Sequence, residues 1–221
     1  SIHDFSRICD LNIANKNTSI GQDSVIMAGF KENFIEKYLN KIQAAGFTAI
    51  VYVQDEQEKN TTRSLAGIFS PGTYFSTDPT ILTNNTMCLW IEYFEPKMKI
   101  LRGKRIDVGM ANIDIFTGKT NVFQFSEMYA KKNPITYDEL ERFISIYNPN
   151  EIIIITNLSA HEVEEVIQYA NIESRSIHKV FLRDDATDTT AKHESMAKKC
   201  EKQTYQKEIL QRFYPKMDFN R

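Results

Sequence analysis

Three kinds of pattern are scarce in this 221-residue chain, and each absence excludes a class of protein. Cysteine occurs three times, at Cys9, Cys88 and Cys200. An odd, scattered set with no CxxC pair is neither a disulfide framework nor a zinc motif, and it fits reduced thiols in an intracellular compartment. No apolar run approaches the ~20 residues needed to cross a membrane. No signal-peptide pattern opens the chain, so the Asn-x-Ser/Thr triplets at Asn17, Asn60, Asn84 and Asn157 read as chance matches. An excess of positive charge is missing too: 27 Lys and Arg stand against 29 Asp and Glu, a net charge of −2. That excludes a polybasic nucleic-acid binder and leaves room for a local cationic patch.

Catalytic spacing is equally scarce. His3, His161, His178 and His193 are isolated from one another, with no HxxxH ligand pair, and no serine has the flanks of a nucleophile elbow. Gly118-Lys119-Thr120 imitates the end of a phosphate-binding loop. The glycine such a loop needs five residues before Gly118 is Ile113, and a strand rather than a helix follows, so a hairpin turn is expected. Asp107, Asp114 and Glu151 fall at strand ends, where an RNase H-like nuclease would hold two metal ions. Carboxylates at strand ends are usually solvated, and no catalytic or metal-binding residue is assigned.

What is present is a globular α/β composition, 42% hydrophobic. Helices are expected at 5–12, 32–45, 138–147, 159–170 and 205–213, from apolar residues at 3.6-residue spacing. Gly46 suits the end of the second, Thr136 or Asp138 the start of the third, and Ser159 with Glu162 forms a capping box for the fourth. Strands are expected at 24–27, 47–54, 64–69, 87–95, 107–116, 121–126, 151–156 and 178–183. The run Glu151–Thr156 (EIIIIT) reads as a strand buried on both faces. Residues 55–62 and 184–194 read as loops, and 70–72 as a turn. The polar, proline-bearing stretch 76–86 separates the halves. A hairpin-led second half followed by βα units implies a mixed sheet covered by helices, an order suited to an RNase H-like fold among other α/β arrangements. In the first half, Lys31, Lys37, Lys41 and Arg63 could form a cationic surface. Lys31 stands at a strand-to-helix junction beside Met27, Gly29 and Phe30, the ingredients of a DNA-backbone and minor-groove contact.

These segments resemble the MutS family of DNA mismatch-recognition proteins. Val25–Phe30 (VIMAGF) followed by Phe34–Leu39 (FIEKYL) is similar to the mismatch-binding segment, and Phe47–Gln54 to the strand after it. Arg63–Thr73 (RSLAGIFSPGT) resembles the family's Arg-x-Val-x-x-Val-x-Thr-Pro-Gly-Thr. Asp107–Phe123 is similar to the connector's opening hairpin, Asn148–Ile152 (NPNEI) to the approach to a connector strand, and Tyr205–Pro215 to its terminal helix. The motifs occur in order over nearly the whole chain. The Asn-rich composition and divergent loops suggest the large-virus or coral-mitochondrial branch.

The resemblance implies two α/β domains: a truncated mismatch-binding domain at 1–78, a linker at 79–86 and an RNase H-like connector at 87–221. It implies an N-terminal fragment that contacts mismatched duplex DNA through Met27, Gly29, Lys31, Asn33 and Arg63, and is not itself an enzyme. ATP and Mg would belong to ATPase domains of a longer protein, which would also carry the dimer contacts. A MutL-type partner would dock on the connector. Two departures stand out. The family's mismatch-reading Phe-x-Glu belongs ahead of Ser1, and Lys31-Glu32-Asn33 replaces the usual Pro-Tyr-His. A metal-dependent nuclease and a purely protein-binding α/β module are the alternatives.

Overall fold

A computed structural model describes residues 1–20, 23–54, 62–76, 80–96, 103–130, 133–182 and 195–217. The loops expected at 55–62 and 184–194 fall almost wholly outside them.

The first half is built from short elements. Helix α1 (Ile2–Cys9) starts on a reciprocal cap between Ser1 and Asp4 and stops where Asp10 turns left-handed at φ 57°. Hydroxyl donation from Ser1 is the main reason the Asp4 carboxyl is held below its ordinary range. Strands β1 (Ala14–Ile20) and β2 (Asp23–Met27) pair as an antiparallel hairpin. Helix α2 (Ile35–Ala44) follows a 3-10 turn at Glu32–Phe34. Strands β3 (Ala49–Gln54) and β4 (Arg63–Phe69) form a second hairpin, with Ala49 opposite Phe69 and Gln54 opposite Arg63.

Little in this half is deeply buried: Cys9, Leu39 and Gln43 on the helices, and the segment that follows β4. Ile50, Tyr52, Leu65 and Ile68 all expose more than half their surface. Between α1, α2 and β3 lies an apolar cleft of about 520 Å³.

The second half holds the main core. Its strands are β5 (Asn85–Phe94), β6 (Arg105–Asp114), β7 (Thr120–Met128), β8 (Glu151–Thr156) and β9 (Ser176–Phe181). They assemble in the order β7-β6-β5-β8-β9. The first three run antiparallel as a meander, and β8 and β9 run parallel to β5. Helices α3 (Asp138–Tyr147) and α4 (Ala160–Tyr169) make the two crossovers that parallel pairing requires. Alternation along β5 and β6 sends Met87, Leu89, Ile91, Ile106, Val108 and Met110 to one face. There they meet Leu140, Phe143 and Ile144 of α3 and Val163 and Val166 of α4. Helix α5 (Gln203–Phe213) follows a helical turn at 195–200. Among the described residues no helix is long and apolar enough to cross a membrane.

Several expectations shift. Strand β1 (ANKNTSI) shows no apolar alternation and exists because β2 pairs with it. The start of α3 is prepared by a 3-10 turn whose cap is Asn133, accepting from the Ile135 amide, rather than Thr136 or Asp138. Strand β5 begins at Asn85, two residues before the expected Met87, and Asn84 ahead of it is buried.

Gly46 ends α2 at φ +80°, and a Cβ there would stand 2.4 Å from the Arg175 carbonyl oxygen. A left-handed non-glycine residue costs about 1–3 kcal/mol before any clash. Gly46→Ala is therefore expected to lower the urea midpoint with an unchanged m-value. An unaltered midpoint would show that this turn yields freely.

Candidate nucleic-acid interface

The five residues expected to face DNA lie on three neighbouring pieces of the first half. Met27 ends β2 with 44% of its surface exposed. Gly29 is exposed, and a Cβ added there would meet nothing within 4 Å. Lys31 precedes the 3-10 turn in extended conformation (φ −76°, ψ 142°), makes no side-chain cap bond, and is exposed along with Asn33. Arg63 is the first residue of β4 and is exposed. Gln54, at the end of β3, pairs with Arg63. Phe30, between Gly29 and Lys31, stacks on Tyr38 at 4.2 Å and reaches Phe5 at 6.4 Å. The junction is thus anchored on an aromatic floor while its polar side chains stay outside.

The cationic surface is smaller than expected. Lys41 Nζ donates to the Cys9 carbonyl at 3.2 Å and so closes the end of α1. Lys37 leans on the Tyr38 ring, 5.9 Å from its centroid. Lys31, Lys37 and Arg63 remain at the edge, with Glu32 and Glu36 on the same stretch of chain. So small a cationic excess exerts no long-range attraction on polyanions.

The nuclease alternative requires carboxylates brought together, and the register separates them. Asp107 and Asp114 lie seven residues apart on β6, about 24 Å at strand rise, and point to opposite faces. Glu151 aligns with Thr86 and Asp114 pairs with Asn85, adjacent residues of β5 whose side chains also take opposite faces. Asp114 and Glu151 are not solvated as strand-end carboxylates usually are, with 7% and 8% exposure. Burial pushes the Asp114 carboxyl upward. Donors from the Asn84 amide (3.0 Å), the Thr117 hydroxyl (2.7 Å) and the Phe116 amide (3.2 Å) outweigh it and hold the group below its ordinary range. No cluster of three potential metal-ligating residues occurs among the described residues. Gly118 turns at φ +70° between β6 and β7, so the Gly-Lys-Thr triplet is a hairpin turn and does not fit an ATP phosphate chain. His161 is exposed at the start of α4.

Burial shifts other titratable groups as well. Burial pushes the Cys88 thiol up to about 11 and the Tyr137 phenol to about 12. Tyr93, desolvated and 2.9 Å from the Tyr137 hydroxyl, is raised further. None of these groups is near the Lys31 edge in the chain.

Fold and surface together define a two-domain α/β protein with a lightly packed first half and a mixed five-stranded second half. Comparison with known proteins gives this arrangement a family. The model of MutS domain I matches residues 3–78, and that of MutS domain II matches residues 97–216. The chain belongs to the MutS family. It is also similar to a putative DNA mismatch repair protein, a mutS homolog of Acanthamoeba polyphaga mimivirus, with 26% identity over 144 residues. That alignment covers 63% of this chain and 12% of the viral relative.

Proposed function

We propose that this chain is the DNA-contacting front part of a MutS-type mismatch-recognition protein of the large-virus branch. The observation that carries the reading is the match to MutS domains I and II in their chain order, with exposed Lys31, Asn33 and Arg63 on the first. Residues 1–78 would contact the duplex, and residues 87–221 would act as an RNase H-like connector beyond the linker. The strand order β7-β6-β5-β8-β9, with its antiparallel meander, supports that connector assignment.

A mispaired site is singled out because it kinks and unstacks at lower cost than a paired one. In this reading Lys31 and Arg63 neutralise phosphates, Asn33 offers hydrogen bonds, and Met27 and Gly29 allow close approach to the groove. The chain hydrolyses nothing itself. ATP and Mg are handled by domains elsewhere in the intracellular whole protein, which also supply its dimer contacts. A MutL-type protein is the expected partner of the connector.

The test is the salt dependence of duplex binding by the whole protein. Lys31→Ala should weaken matched and mismatched duplex by similar factors and reduce the slope of log K against log salt by about 0.9. An unchanged slope removes Lys31 from the interface. Absence of duplex affinity in the unaltered whole protein would favour a protein-binding module instead.

A further inference from the structure

The turn that follows β4 is gripped by side chains of the connector sheet. Ser70, Pro71 and Gly72 are buried, although they form a polar turn. Glu151, at the start of β8, supplies the central acceptor. Its Oε2 accepts from the Ser70 hydroxyl at 2.6 Å and from the Gly72 amide at 2.9 Å. Its Oε1 meets His178 Nε2 of β9 at 2.6 Å, and the Ser176 hydroxyl is 3.1 Å from the same nitrogen. Thr86 of β5 donates to the Gly72 carbonyl at 2.7 Å. Asn84 donates to the carbonyls of both Pro71 and Tyr74 at 3.0 Å. Asn84 is held in turn by the Asn150 amide group and by Asp114, which accepts from its backbone N–H.

Steric fit is as tight as the hydrogen bonding. A Cβ on Gly72 would lie 2.4 Å from Thr86 Oγ1 and 2.5 Å from Glu151 Cβ. A second contact, Gly46 against the Arg175 carbonyl, joins the end of α2 to the approach to β9.

We propose that the 70–73 turn and the Glu151 carboxylate form a rigid joint that makes the two halves move as one body. Strand β4 then acts as a strut. Arg63 stands at one end and Ser70 just past the other, about 24 Å apart at strand rise. A displacement imposed near Arg63 reaches β8 as a tilt of the connector sheet and is not lost in a flexible linker. The joint follows from the contacts at Glu151 and Gly72 alone and does not depend on the DNA reading.

Residual dipolar couplings of backbone amides test it in the intact chain. In the unaltered chain, β3–β4 and β5–β8 should report one alignment tensor of equal magnitude. Glu151→Ala removes the carboxylate's own contacts with Ser70, Gly72 and His178 and should cut the magnitude for β3–β4 to half or less of that for β5–β8. Ser70→Ala, a milder change, should speed Gly72 amide exchange about tenfold while β5 and β6 amides stay within twofold. Unequal tensors in the unaltered chain overturn the proposal. So do equal tensors in Glu151→Ala, or, should that variant not keep its sheet, an unchanged Gly72 exchange rate in Ser70→Ala.

Discussion

Leu89→Ala is expected to destabilise the chain by about 3–4 kcal/mol, a truncation at a fully buried site. Leu89 lies in the middle of β5, the central strand, with Met110 opposite it on β6 and Ile154 beside it on β8. Removing its isobutyl group opens a cavity whose walls are fixed by hydrogen bonds on both sides, so little collapse can refill it. For a domain of this size that corresponds to a fall in melting temperature of about 10 °C, measurable by calorimetry. Leu65→Ala is the control, since Leu65 is 52% exposed on β4 and should change stability by under about 1 kcal/mol. Equal costs at the two positions would refute the division between a dense second half and a sparse first.

Asp114→Ala should cost about 3 kcal/mol, for an electrostatic reason. Its carboxylate collects the Asn84 and Phe116 amides and the Thr117 hydroxyl, and alanine leaves the buried Asn84 amide without an acceptor. The pH dependence carries the same signature. Because the folded carboxyl titrates below its ordinary range, the unfolded chain binds a proton in a window where the folded chain does not. Stability therefore rises with pH across that window. The contribution is complete above the unfolded value of about 3.9 and is lost as pH falls through the folded value. Urea unfolding at pH 7 and pH 3 should show a smaller acid loss in Asp114→Asn than in the unaltered chain. Identical losses would mean that Asp114 is not held as its contacts indicate.

Much of the second half is legible in the sequence because its signals are periodic. Leu140, Phe143 and Ile144 mark one face of α3, the EIIIIT run marks β8, and Ser159 with Glu162 marks the start of α4. The first half is less legible. The polar residues of β1 carry no strand pattern, and the strand depends on a partner. Lys41 reads as a solvated cation because Cys9, the carbonyl it meets, is 32 residues away. Glu151 reads as an ordinary strand-end carboxylate for the same reason, with partners at Ser70, Gly72 and His178. No periodicity records pairings of that range. The cationic edge is legible as residue types at a strand-to-helix junction.

The light packing of the first half has a kinetic meaning. Local opening is drawn to segments with few buried apolar contacts, and closing is fastest where contacts are close in sequence. The β1–β2 hairpin satisfies both conditions, while β8 and β9 are joined to β5 only by long crossovers. The segment away from the 70–73 turn, from β1 to the Lys31 junction, can therefore open locally and re-form within one lifetime of the closed five-stranded sheet. The chain unites a quick, yielding surface with a slow, durable frame.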